Sequence, residues 1–101
     1  MDTAPDYLDR SGRPRLAYRH VAGTGPAIVF LPGYMSDMAG GKATALFDWA
    51  AAEGRSCLLL DYAGCGLSDG LFADQTLLDW RGDVLDLIDA RAAGPVIIVG
   101  S

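Results

Sequence analysis

Residues 27–35, A-I-V-F-L-P-G-Y-M, decide how the rest of this chain is read. Four consecutive apolar residues at 28–31 stand between Gly25-Pro26 and Pro32-Gly33. The run is too short for a buried helix and reads as a strand covered on both faces, as in the middle of a parallel sheet. Gly33, Tyr34, Met35 and Ser36 then fall at the carboxyl end of that strand, the edge where open α/β sheets hold their ligands. Outward from it, the apolar runs 57–60 and 96–99 also read as strands, each ending in small polar residues at what should be the same edge.

The intervening segments carry helical periodicity. Ala43, Leu46, Phe47 and Ala50 recur at three- and four-residue spacing over 42–53, and Gly54 follows where a left-handed residue ends a helix. A second helix is expected from Thr76, with Thr76 and Asp79 spaced as a capping box and Leu77, Trp80, Val84, Leu87 and Ile88 as its apolar stripe. Gly94-Pro95 closes it. Near the N-terminus, 7–10 and 15–21 flank the turn residues Ser11-Gly12-Arg13-Pro14, which predicts an antiparallel hairpin. Strand, helix, strand, helix, strand demands right-handed crossovers. The expected fold is therefore α/β, with the hairpin joined to one edge of a parallel sheet and one helix on each face.

Composition narrows the function. With 50% hydrophobic and 21% charged residues, a packed core is intended. A net charge of -5 without a basic run offers no footprint for nucleic acid or an anionic membrane, and no apolar run approaches membrane-spanning length. Cys57 and Cys65 lack the spacing of metal ligands or the density of a disulfide scaffold and read as reduced thiols. The acidic N-terminus resembles neither a signal nor a transit peptide, so a cytoplasmic location is expected.

Several residues invite a chemical role that a plainer reading absorbs. His20 is the single histidine, but in the second arm of a hairpin it reads as a half-exposed packing residue. Asp79, Asp83 and Asp86 lie roughly on one helix face and read as solvated surface opposite the apolar stripe rather than as metal ligands. No metal site and no cofactor are expected.

Three motifs remain. At Leu31-Pro32-Gly33-Tyr34 a strand ends in a turn that leaves the following amides unpaired, and the Tyr34 N–H is the candidate to stabilise negative charge on a substrate carbonyl oxygen. Asp61-Tyr62-Ala63-Gly64-Cys65-Gly66-Leu67-Ser68-Asp69-Gly70 raises a dinucleotide-binding turn, but that fingerprint needs a third glycine where Asp69 stands and a helix opening within the motif. The third motif, 96–101, reads as a buried strand entering Gly100-Ser101, the start of a G-x-S-x-G nucleophile elbow. Gly100 takes the first glycine, so the nucleophile would be residue 102. Were Ser101 the nucleophile, Val99 would occupy the small-residue position and crowd the turn.

In this order and at these intervals, the motifs resemble the N-terminal part of an α/β-hydrolase. Asp61, Gly64, Gly66 and Ser68 match the family's D-x-x-G-x-G-x-S, while Pro32 replaces the usual histidine of the first motif. The runs F-L-P-G-Y-M-S-D-M-A-G-G-K-A, D-Y-A-G-C-G-L-S-D-G and L-D-W-R-G-D-V are similar to the subgroup containing the mitochondrial acyl-glucuronide esterase and palmitoyl-protein thioesterase, where proline is also found at that position. The resemblance implies a serine hydrolase of carboxylic esters or thioesters whose Ser-Asp-His triad lies beyond residue 101. Residues 1–101 would then be the N-terminal portion of one domain, truncated at the elbow and silent by itself. Of the apparatus it would supply the Tyr34 oxyanion donor, with Gly33, Asp61, Gly64, Gly66, Ser68 and Gly100 shaping the turns. Its partner would be a small-molecule or acyl-protein substrate, a mitochondrial site becomes admissible, and the unpaired strand 96–99 should make the fragment self-associate. The alternatives are a non-enzymatic fold fragment and a nucleotide-binding α/β module.

Overall fold

The computed structural model describes residues 4–33, 36–92 and 94–101. Strands β1 (Asp6–Arg10) and β2 (Arg13–Val21) form the hairpin, followed by β3 (Thr24–Leu31), helix α1 (Gly41–Ala52), β4 (Arg55–Leu60), helix α2 (Leu77–Arg91) and β5 (Val96–Gly100). The sheet order is β1-β2-β4-β3-β5. β3 runs parallel to both β4 and β5, and the hairpin joins through the antiparallel β2–β4 pair. The central strand is longer than its apolar run. It reaches back through Gly25-Pro26 to Thr24 across a register irregularity, which absorbs the ladder hydrogen bond that proline cannot donate.

Each sheet face carries one helix. Alternation along the strands sends Ala17, Ile28, Phe30, Cys57 and Leu59 to the face covered by Ala43, Phe47 and Ala50 of α1. Leu16, Tyr18, Val29, Leu58 and Leu60 go to the other, under Leu87 of α2, with Val84 and Ile88 packed alongside. β4 is buried along 56–60 because both helices and both neighbouring strands enclose it. Helix α2 starts at the expected cap, since Thr76 Oγ accepts from the Asp79 N–H at 3.1 Å while the Asp79 carboxylate accepts from the Thr76 N–H at 2.9 Å. Gly54 ends α1 at φ +68°.

Two sequence expectations for α2 are corrected. Leu77, assigned to the buried stripe, is 78% exposed, because the first turn stands at the carboxyl edge of the sheet and lines a cleft there instead of packing on the strands. Asp83, assigned to the solvated face, is fully buried. Its Oδ1 accepts from Arg10 Nη1 at 2.8 Å and Arg13 Nη2 at 3.3 Å, and its Oδ2 accepts from the Ala63 N–H at 2.8 Å. The carboxylate is buried because two arginines of the hairpin reach over to neutralise it. It ties together the hairpin, α2 and the loop after β4. Asp86, on the same helix, meets Arg10 at 2.9 Å but stays half exposed.

Candidate active-site edge

The carboxyl ends of β3, β4 and β5 converge on one edge. Leu31 is in register with Gly100, and the Ser101 N–H donates to the Leu31 carbonyl at 3.2 Å. Beyond Leu31 the chain turns at Pro32-Gly33, where the Ser36 N–H donates to the Gly33 carbonyl at 3.0 Å. A Cβ on Gly33 would come within 3.1 Å of the Ser101 carbonyl oxygen, a tight contact in which one side must give by a few tenths of an ångström. Gly100 has open space around it among the described residues. Tyr34, the expected oxyanion donor, and Met35 lie outside the described residues.

The glycine turn after β4 is built around a buried carboxylate. Asp61, 2% exposed, accepts from the Met38 N–H at 2.7 Å through Oδ1 and from the Leu67 N–H at 2.9 Å through Oδ2. Gly66, at φ +51°, folds so closely over it that an added Cβ would overlap the carboxylate. Gly64, at φ +79°, lies against the backbone of Leu71 and Phe72 in the same way. Ser68 locks the turn to β2, since its Oγ donates to the Asp61 carbonyl at 2.7 Å and accepts from the Ala17 N–H at 2.8 Å. Burial pushes the Asp61 carboxyl up, the Leu67 and Met38 amides pull it back, and Asp37 adds to the rise. Both amides are spent on an internal carboxylate, so they do not form the anion cradle a dinucleotide turn requires.

Beside this edge opens an apolar cleft of about 520 Å³. Its wall includes Tyr62 stacked on Trp80 at 5.3 Å between ring centroids, and Phe72, outside the lining, tilts against Trp80 at 5.6 Å. Trp80 is held by its Nε1–H, which donates to the Ala63 carbonyl at 3.1 Å. Leu31, Gly33, Cys65, Val84 and Ser101 are among the other residues that line the cleft.

Burial raises the Cys57 thiol to about 11 despite the Leu58 backbone contact, and it raises Cys65 too, helped by Asp61 and Asp83, so both stay protonated at neutral pH. His20 sits on β2 opposite Leu58, three strands from β5 and thus roughly 14 Å away at normal strand spacing. Burial, then Arg91, lowers its pKa, while Asp6 opposes them. Among the described residues no three or more His, Cys, Asp or Glu side chains gather as a metal site. The site-edge feature that sequence reasoning missed is the link between Asp83 and Ala63. Its signal was present, because 80, 83 and 87 repeat at helical spacing and place Asp83 on the Trp80–Leu87 stripe.

Known proteins share this geometry. The solved mouse α/β-hydrolase domain-containing protein 10 superposes with a TM-score of 0.93 at 43% identity, over 98% of this chain and 40% of that one. The chain has the fold of the N-terminal part of an α/β-hydrolase. The chain is also 46% identical over 99 residues to the human mitochondrial palmitoyl-protein thioesterase ABHD10, covering 98% of this chain and 32% of the relative. It thus spans about a third of the length of the curated relatives it matches, corresponding to their N-terminal part. Est1E of Butyrivibrio proteoclasticus, solved with ferulic acid bound, shares the fold at a TM-score of 0.80 and 22% identity, over 94% of this chain and 41% of that one. No family model matches the chain. Among its described residues no helix is long and apolar enough to cross a membrane.

Proposed function

We propose that the whole protein is a serine hydrolase of carboxylic esters or thioesters, with acyl-protein thioesters the first class to test. The supporting observation is the contact between the β3 turn and the end of β5, where a Cβ on Gly33 would lie 3.1 Å from the Ser101 carbonyl oxygen. Acyl transfer needs a nucleophile and an oxyanion donor about 3 Å from one carbonyl, and two strand ends in contact are the scaffold for that. The thioester class is taken from the relatives named as palmitoyl-protein thioesterases.

In this reading residues 1–101 are the N-terminal portion of a single domain, and the nucleophilic serine is residue 102. Its hydroxyl oxygen attacks the acyl carbonyl while a histidine from later in the protein takes the proton and an aspartate orients that histidine. The Tyr34 N–H receives the developing oxyanion. The histidine returns the proton to the departing thiol or alcohol, and water then releases the acid from the acyl-enzyme. Gly33, Gly100 and the Asp61–Ser68 turn shape the edge, and the 101-residue chain alone turns nothing over.

A fluorophosphonate probe on the full-length protein, mapped by peptide mass spectrometry, tests this directly. Labelling of residue 102 with turnover of a p-nitrophenyl ester and a palmitoyl thioester is expected. A residue other than serine at 102, or labelling elsewhere, refutes it. Tyr34→Phe should be mild and Tyr34→Pro should lower kcat by about 10²–10³, since the backbone donor is what is lost.

A further inference from the structure

Ala63, fully buried, is tied to helix α2 at both of its backbone groups. Its N–H donates to Asp83 Oδ2 at 2.8 Å and its carbonyl accepts from Trp80 Nε1 at 3.1 Å, from two side chains about one helical turn apart. The neighbouring amides turn inward instead, the Gly64 N–H donating to the Asp69 carbonyl at 2.8 Å and the Cys65 N–H to the Tyr62 carbonyl at 2.9 Å. The two ends of the turn are tied to β2, through the Asp61 N–H on the Ala17 carbonyl at 3.1 Å and the Asp69 N–H on the Arg15 carbonyl at 2.9 Å. Ala63 is where the turn meets the helix. The residue before it is Tyr62, whose ring stacks on Trp80 and lines the same cleft as Leu31 and Ser101. Asp83 is itself fixed, because Arg10 and Arg13 of the hairpin claim its other oxygen.

We propose that Asp83 is a positioning residue for the hydrolase: held by the hairpin arginines, it sets through Ala63 where the Tyr62 ring stands relative to the end of β5. The assignment rests on the hydrolase reading above, in which the nucleophile follows Ser101. A ring that lines the same cleft as Ser101 bounds the space into which the chain turns after β5. Reacting groups tolerate little displacement, since about 1 Å can cost about 10²-fold in rate. The chemistry of the link follows from acceptor count. The carboxylate gives one oxygen to the arginines and the other to the Ala63 N–H. Asparagine has nearly the same shape but one acceptor oxygen, and two donor-only arginines claim it, which leaves the NH₂ facing the Ala63 N–H donor to donor. The hairpin keeps an acceptor while the turn loses its own. From the other side, Trp80→Phe keeps a ring for Tyr62 to stack on and removes the donor to the Ala63 carbonyl.

The experiment compares full-length wild type, Asp83→Asn, Trp80→Phe and Phe47→Leu by amide hydrogen exchange, urea unfolding and steady-state kinetics on a p-nitrophenyl ester, with kcat counted per site titrated by a fluorophosphonate. Phe47 belongs to the core beneath α1 on the opposite sheet face, so its truncation lowers stability without touching Ala63. In the wild type the Ala63 amide should be protected. In Asp83→Asn its exchange should quicken by about tenfold or more, the scale of one charge-assisted hydrogen bond. The kcat of that variant should fall by about three- to tenfold with KM changed less than about twofold, and Trp80→Phe should move kcat the same way by a smaller factor. Phe47→Leu should unfold at lower urea yet keep kcat and KM. An unprotected Ala63 amide in the wild type overturns the assignment, and so does an unchanged kcat in Asp83→Asn or, if that variant does not fold, in Trp80→Phe. An equal fall of kcat in Phe47→Leu makes Asp83 merely structural. Absence of both turnover and probe labelling in the wild type refutes the hydrolase reading, and the assignment falls with it.

Discussion

Asp83→Ala should be among the more damaging single substitutions in this part of the protein. The carboxylate is fully buried, and Arg10, its main partner, is 7% exposed at the side chain. Breaking one member of such a pair typically costs about 3–5 kcal/mol, because the other charge stays buried. Here Arg10 keeps other acceptors, the Asp86 carboxylate at 2.9 Å and the Pro14 carbonyl at 2.6 and 2.9 Å, so the lower end of that range applies. The Arg13 contact adds little, since that side chain is 34% exposed and solvent screens it. The Ala63 N–H loses its acceptor, which adds about 1 kcal/mol. The sum is about 3–4 kcal/mol, a large share of the stability of a whole protein, typically about 5–15 kcal/mol. Urea unfolding followed by tryptophan fluorescence should show the midpoint falling with an unchanged slope. Asp86→Ala, which removes a half-exposed carboxylate from the same arginine, should cost less than about 1 kcal/mol. A loss below about 1 kcal/mol for Asp83→Ala, or equal losses for both, would mean that the buried pair does not hold the hairpin to α2.

Gly66→Ala should cost about 2–4 kcal/mol by urea unfolding, combining a left-handed alanine with a Cβ driven into Asp61, whereas Gly12→Ala, also left-handed but with open space around it, should cost about 1 kcal/mol. His20 has a folded pKa below its ordinary 6.5, so the unfolded chain takes up the proton first and stability should fall as pH drops through 6.5, levelling off below the folded value. Subtracting the urea midpoints of His20→Gln from those of wild type between pH 7.5 and 5 isolates this slope, and a difference that does not vary with pH refutes it. In the 101-residue chain, β5 pairs with β3 on one side only, and Ile97 and Ile98 are 44% and 50% exposed. Size-exclusion chromatography should therefore find that chain self-associated and Ile97→Lys less so, while a sharp wild-type monomer at high micromolar concentration would contradict this.

By itself the sequence determined the order and type of every long element and the layering around them. It could do so because the signals are local. An apolar run between Gly-Pro and Pro-Gly pairs, an Ala43–Ala50 stripe and a Thr76/Asp79 cap each need only a few neighbouring residues to be read, and the helix on each face follows from connection handedness. The resemblance carried by the glycine turn and the strand-end motifs likewise sits in contiguous residues. What only tertiary structure decided were pairings between residues distant in the chain. Helical spacing sets Asp83 on the Trp80–Leu87 stripe, but a carboxylate stays buried there only because Arg10 and Arg13, 73 and 70 residues earlier, swing over to meet it. Periodicity allows a carboxylate on the buried face of α2 only when a counter-charge arrives from elsewhere, and no pattern within the helix announces that arrival. The same holds for Leu77, whose spacing is that of a core residue but whose turn overhangs the sheet edge. It holds most of all for Asp61, whose second oxygen reaches 23 residues back along the chain to Met38, because the parallel pairing of β3 with β4 sets their two carboxyl ends side by side.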